Sequence, residues 1–214
     1  MRIKNSPHIL ALRFTPKEFC QLASERFVLV TKKPEEITEA YLAWFNDAEV
    51  RQHLGLAGGI YDLPKLRGFA QSHNNETSFL FWIATQDDRE QPIGFSQLFF
   101  TRSHMLAQTS ICIGDKAWWG KGVIGEARSA VLDFAFRKLA VEKVFGHCQK
   151  PNAAALFNYR AEQWEFECVL KRHHKVGEQR VDLIQFAMFR DEWMRRIDAW
   201  VEAQEEAASD GETV

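Results

Sequence analysis

Apolar residues recur along this chain in two rhythms, and the rhythms alternate in a mixed order. Runs bounded by turn residues read as strands over Ser78–Thr85, Pro92–Thr101, Leu106–Ile113 and Lys143–Gln149, with further strands near residues 26–31, 164–171 and 180–188. Helical spacing appears in five places. Pro34-Glu-Glu precedes a helix through Tyr41, Leu42, Trp44 and Phe45, and a second covers residues 63–73. A long third helix carries Ile124, Ala127, Val131, Phe134 and Ala135 on one face, and a fourth runs from Pro151-Asn152 to about residue 163. A last helix begins near Asp191 and frays into the acidic stretch 205–214, which reads as solvated and disordered. Asn46-Asp47 and Gly58-Gly59 mark loops, and Pro7 and Pro16 punctuate residues 1–25, an N-terminal accessory segment. The main domain is expected over residues 26–197 and the tail over 198–214.

The most informative stretch lies between the third long strand and the third helix. The apolar run breaks at Gly114, and a polar turn then carries Gly120, Gly122 and Gly125 into the helix. Strand, glycine-rich turn and helix together aim free backbone N–H groups and a helix dipole at an anion. Glycines let that anion approach the backbone closely, and the expected ligand is a diphosphate. A tight turn that binds nothing would use the same glycines. A P-loop is excluded, because no Lys-Ser/Thr follows the last glycine. Gly120, Gly122 and Gly125 match a dinucleotide fingerprint literally, yet the chain is still helical where the ribose-binding acid should end a second strand.

Composition narrows the classes. With 27 basic and 29 acidic side chains in 214 residues, the net charge of −2 is a poor footprint for a nucleic-acid binder. The 46% hydrophobic content supplies a full core. No apolar run approaches the roughly 20 residues of a membrane span, and no signal peptide is read. Cys20, Cys112, Cys148 and Cys168 are scattered without a CxxC pair, so neither disulfides nor a metal site is expected, and a reducing cytoplasm fits best. Phe81, Trp82, Phe95, Phe99 and Phe100 sit at strand spacing and read mostly as core.

Several ordered motifs together resemble the GCN5-related N-acetyltransferase (GNAT) superfamily, and within it the RimJ/RimL-like branch. The resemblance covers roughly residues 26–193. Trp119-Gly-Lys-Gly122 followed by Glu126-Ala127 resembles that branch's acetyl-CoA pyrophosphate loop. Asn152 through Tyr159, followed by Trp164-Glu-Phe-Glu167, resembles its second motif. Asp182 to Phe186 and Arg190-Asp-Glu-Trp193 resemble its closing strand and ending. Three positions depart from the pattern: Ala117 where relatives carry Gln or Arg, Gln163-Trp164 in place of Gly-Phe, and Ala155 in place of Ser.

The resemblance implies an α/β (α+β) GNAT fold: a mixed, mostly antiparallel central sheet flanked by helices and splayed between its fourth and fifth strands. It further implies acetyl-CoA as co-substrate, no metal, and direct transfer to an amine acceptor; a homodimer is compatible with it. The strand ending at Ile113 would splay from Lys143–Gln149, and backbone groups of Cys112 and Ile113 would pair with pantetheine as in strand addition. Backbone amides of Gly120, Lys121, Gly122, Val123 and Gly125 would hold the diphosphate, with the Lys121 side chain either engaged or solvated. Asn152 would cap its helix or bond the pantetheine arm. Tyr159 would be the general acid toward the thiolate, against a bland reading as a core tyrosine. His147 would be the base or an acceptor contact, against a reading as a satisfied structural histidine. His104, His173 and His174 are placed in loops.

None of the strands at 78–85, 92–101 and 106–113 contains a carboxylate base. A lysine amine of pKa about 10.4 is only about 0.04% neutral at pH 7, whereas an α-amine is roughly 10% neutral. The expected acceptor is therefore a protein N-terminus, an amino sugar or a similar small amine. The alternative is a non-catalytic acyl-CoA-binding module of the same fold.

Overall fold

A computed structural model describes residues 10–15, 19–54 and 60–211; Pro7, Pro16 and Gly58-Gly59 lie outside them. Among the described residues, nine strands form one sheet. They are β1 (Leu10–Thr15), β2 (Phe19–Ala23), β3 (Phe27–Val30), β4 (Ser78–Thr85), β5 (Pro92–Thr101), β6 (Leu106–Ile113), β7 (Lys143–Gln149), β8 (Glu165–Val176) and β9 (Gln179–Phe189). Their spatial order is β1-β2-β3-β4-β5-β6-β7-β9-β8. Neighbours run antiparallel except β6 and β7, which are parallel and joined through a helical crossover. Counting from β3, that parallel junction lies between the fourth and fifth strands, as the expected fold requires. The first two strands extend this same sheet, so the described part of residues 1–25 forms an edge of the central layer.

Helices cover both faces. On one side lie α1 (Ala48–Leu54) and α2 (Leu63–Gln71), preceded by 3-10 turns at Pro34–Glu36 and Glu39–Leu42. On the other lie α3 (Val123–Asp133, extended by a π turn at Phe134–Lys138), α4 (Ala153–Ala161) and α5 (Arg190–Gly211). The continuous helix expected through Phe45 is thus replaced by two short turns. Ile37 and Thr38 are extended between them, which lets Ile37, Tyr41, Trp44 and Phe45 all reach the sheet. The last helix also continues through most of the stretch expected to be disordered. His173 and His174 belong to β8 rather than to a loop, and His104 to a 3-10 turn after β5.

Each face has its own core. Phe79, Phe81, Val131, Phe134, Phe136 and Trp193 pack under α3 and α5, while Tyr41, Phe45, Leu66, Trp82 and Phe95 pack under α1 and α2. Complete burial of a side chain such as Phe134 contributes about 1.5–3 kcal/mol and seats α3 firmly against the sheet. Of the five strand aromatics, Phe99 alone remains 41% exposed.

Candidate active site

The turn before α3 is shaped by its own residues. Asp115 accepts from the Ala117 amide at 2.9 Å, Lys116 bridges Asp47 and Glu49 at 2.9 Å each, and Trp119 Nε1 donates to the Ile113 carbonyl at 2.8 Å. Gly120 and Gly122 then adopt φ of +73° and +76°, a left-handed conformation that β-carbons disfavour. Gly122 is the N-cap of α3 and offers no side chain, so the amides of the first helical turn face outward without a protein cap. A residue that the sequence reading passed over fixes this turn. Arg26, just ahead of β3, donates Nε to Glu126 at 2.7 Å and Nη1 to the Lys121 carbonyl at 3.1 Å, while its own amide donates to Glu126 at 2.7 Å. Arg26 thereby neutralises the one carboxylate in the first turn of α3, leaving the helix end positive.

Beside this turn the sheet opens. β6 and β7 pair only from Leu106↔Lys143 to Thr109↔Gly146, although β6 continues to Ile113 and β7 to Gln149. Beyond that rung each strand keeps its outer partner, β5 or β9. The inner edges of 110–113 and 147–149 therefore form a fork with backbone groups unspent on each other. The Cys112 carbonyl abuts Gly94 on β5. By the alternation of an antiparallel ladder, Ile111 and Ile113 are the residues that turn their backbone toward the fork, and Cys112 is turned away. The Cys112 expectation is corrected on this ground, and Ile111 is the neighbour it missed.

Tyr159 stands at the vertex. Its side chain is buried, and its hydroxyl fills the space that a Cβ on Gly146 would take, next to the Thr109 carbonyl of the last rung. Asn152 starts α4 by capping it, accepting from the Ala155 amide at 3.0 Å, which carries Tyr159 two turns further in. The ring stacks on Phe186 at 4.7 Å and meets Trp164 edge-on at 5.2 Å. The guanidinium of Arg128 lies 4.4 Å from the ring centre and is bound by both oxygens of Glu162 at 3.0 and 2.9 Å. Glu162 also accepts from Trp164 Nε1 at 3.1 Å. Burial pushes the Tyr159 phenol above its ordinary value, with Arg128 opposing, so the group is protonated at neutral pH. Burial likewise pushes the nearby Cys148 thiol up to about 11, which makes it a poor nucleophile.

His147 follows Gly146 in β7 and so projects from the opposite face of the sheet, toward the α1/α2 side. Its Nε2 lies 2.8 Å from Gln185 Oε1, Gln185 Nε2 donates to Glu167 at 2.8 Å, and Lys143 pairs with Glu167. The chain of donors fixes the tautomer. Gln185 must give its NH2 to the carboxylate, so its oxygen faces His147, and the neutral imidazole donates from Nε2 and keeps a lone pair on Nδ1. Burial raises Glu167, but Lys143 and Gln185 outweigh it and hold the carboxyl below its usual range. The structure thus brings Tyr159 and His147 to the same fork from opposite faces.

A family model described as an acetyltransferase (GNAT) domain matches residues 26–156. The chain belongs to the GNAT acetyltransferase family. Solved structures share its fold. A probable GNAT acetyltransferase from Chromobacterium violaceum superposes with a TM-score of 0.71 at 19% identity, over 88% of this chain and 94% of that one. RimL, a ribosomal alpha-N-protein acetyltransferase solved with coenzyme A, gives 0.70 at 16% identity, over 79% and 97%. Spermidine N-acetyltransferase from Vibrio cholerae, in complex with CoA and spermine, gives 0.68 at 16% identity, over 78% and 98%.

In this GNAT chain the glycine turn with Gly120, Lys121, Gly122, Val123 and Gly125 follows directly on β6, one arm of the fork, and the Tyr159 phenol stands where the two arms part. The Lys121 ammonium sits 5.2 Å over the Trp118 ring, which holds it beside the turn rather than across it. Among the described residues, no cluster of three or more His, Cys, Asp or Glu could hold a metal, and no helix is long and apolar enough to cross a membrane.

Proposed function

We propose that this chain moves an acetyl group from acetyl-CoA directly to a primary amine of low pKa: a protein N-terminus, an amino sugar or another small amine. The observation that carries the reading is the placement of the Tyr159 hydroxyl at the vertex of the β6/β7 fork. In this reading the amides of Gly120, Lys121, Gly122, Val123 and Gly125 hold the diphosphate. Ile111 and Ile113 pair with the pantetheine arm, and the co-substrate supplies an activated acyl thioester. His147 Nδ1 takes the proton that the attacking amine sheds as the N–C bond forms. Tyr159 donates to the sulfur as the C–S bond breaks, and its proton is replaced from water. A phenol raised by burial hydrogen-bonds the developing thiolate before transfer is complete. A likeness to the RimJ/RimL branch agrees with an α-amine acceptor.

The experiment is an acceptor panel (a peptide with a free α-amine, glucosamine, spermidine and Nα-acetyl-lysine) followed by release of free CoA. The first two should turn over, and Nα-acetyl-lysine should lag. Tyr159→Phe should then lower kcat about 10²-fold or more while leaving acetyl-CoA affinity within about twofold. Acetyl-CoA binding without turnover on any amine would establish a non-catalytic binding module instead. Faster transfer to Nα-acetyl-lysine than to the α-amine would overturn the acceptor class.

A further inference from the structure

A second hydrogen-bond chain reaches the fork from the α2 side, and it ends on Ser110. Ser110 is the first β6 residue beyond the last β6–β7 rung, and its counterpart one step beyond Gly146 on β7 is His147. Thr109 is buried on the Tyr159 side of the sheet, so Ser110, one residue on, projects from the face that carries His147 and is exposed there. Its hydroxyl donates to Gln97 Oε1 at 3.1 Å, and Gln97 Nε2 lies 3.0 Å from His73 Nε2. His73, just after α2, places Nδ1 3.0 Å from the Phe69 carbonyl. Ser72 Oγ, 3.3 Å from the same nitrogen, donates to that carbonyl at 2.7 Å.

The polarity of this chain follows from its first link. A carbonyl only accepts, so Nδ1 of His73 carries the proton and Nε2 of the neutral ring accepts. Gln97 must therefore present its NH2 to His73 and its oxygen to Ser110. Ser110 then commits its only hydrogen to Gln97, and its lone pairs are what it offers to the fork. The imidazole is held in place by Phe69 at 5.2 Å and by the half-exposed Phe99 at 5.6 Å.

We propose that Ser110 Oγ receives an N–H of the acceptor amine, and that Gln97 and His73 are positioning residues that keep this hydroxyl an acceptor. The inference rests on the transfer reading above and deepens it. Ser110 on one arm of the fork and His147 Nδ1 on the other both present lone pairs to the same face. A group with at least two N–H bonds satisfies both, so the site favours primary over secondary amines.

The test uses the full chain with a free α-amine peptide and glucosamine as acceptors. Ser110→Ala should raise the amine KM about tenfold, the loss expected for a hydrogen bond to a charged or strongly polar donor. Its acetyl-CoA KM should stay within about twofold. Ser110→Thr should restore most of the amine KM. Gln97→Met should reproduce the Ser110→Ala effect but add little to it in the double variant, because both act through one hydroxyl. An unchanged amine KM in Ser110→Ala, with the parent protein turning over normally, overturns this contact and leaves the transfer reading standing. An equal rise in both KM values also overturns it, since that marks a general disturbance of β6. A parent protein that releases no CoA with either amine overturns both readings.

Discussion

Gly146 and Tyr159 share one volume: the phenolic oxygen occupies the place of the missing Cβ, at the rung where β6 and β7 part. A methyl group at position 146 would collide with that oxygen and press on the Thr109 carbonyl 3.1 Å away. Tyr159 is in turn wedged between Phe186, Trp164 and the Arg128–Glu162 pair, so it has little room to retreat. Gly146→Ala should therefore cost about 1–3 kcal/mol, the range for overpacking a filled core. For a chain of this size that is a fall of roughly 2–4 °C in Tm per kcal/mol. Activity should fall further than stability, since the displaced atom is the proposed acid. In a Tyr159→Phe background the same substitution should be milder, because the colliding oxygen is gone. Thermal melts of the two singles and the double measure that coupling; simple additivity would show that the contact is not what limits position 146.

Arg26 makes a separate prediction about the proposed diphosphate end. Its three bonds to Glu126 and the Lys121 carbonyl tie the glycine turn to the start of β3. Removing it leaves a carboxylate uncompensated in the first turn of α3, where the proposed diphosphate would approach. Arg26→Ala should weaken acetyl-CoA binding by about tenfold, a loss of about 1.4 kcal/mol, with kcat at saturation nearly unchanged. Arg26→Ala with Glu126→Gln should recover part of that affinity, since the repulsion is removed even though the clamp is not. Calorimetry with acetyl-CoA on the three proteins decides it. Equal affinity in the single and double variants would show that the clamp, not the charge, matters.

Much of this arrangement is legible in the sequence, and the reason is locality. The strands at 78–85, 92–101, 106–113 and 143–149 are found with their ends in place because each is an apolar run closed by turn residues. The glycine turn is legible as a spacing, and Tyr159 as a spacing from Asn152. The stretch at 34–45 misleads because Ile37, Tyr41, Trp44 and Phe45 have helical spacing, while the backbone instead bends to bring all four onto the sheet. The polar supports are invisible for a different reason. Arg26 meets Glu126 across 100 residues, Gln97 meets His73 across 24, and Gln185 meets Glu167 across 18. Such residue types carry no periodic signal, and only the completed sheet puts them side by side. The face that Cys112 presents to β5 is likewise set by register, which single-strand patterns do not contain.

The buried thiols make the protein's stability fall on the alkaline side. Burial pushes Cys20 and Cys112 from 9.0 to about 12, and Cys148 to about 11 despite Arg128 beside it. Each folded-state pKa is raised, so the folded chain holds these protons after the unfolded chain has released them. The thiols' contribution is fully present below pH 9 and is lost as pH rises from there through the folded values. Within that window each such thiol steepens the decline by about 1.4 kcal/mol per pH unit, before other groups are counted. Tyr159, raised in the same direction by burial, adds to the decline once pH passes its ordinary value near 10. Denaturant melts between pH 8.5 and 11 should show stability nearly flat at first and then falling progressively more steeply. Cys112→Ala, compared with its own value at pH 8.5, should show a shallower fall than the parent across the same range. A variant whose slope matches the parent would mean that Cys112 ionises in the folded state as readily as in the unfolded one, and that its burial opposite Phe95 of β5 does not exclude water.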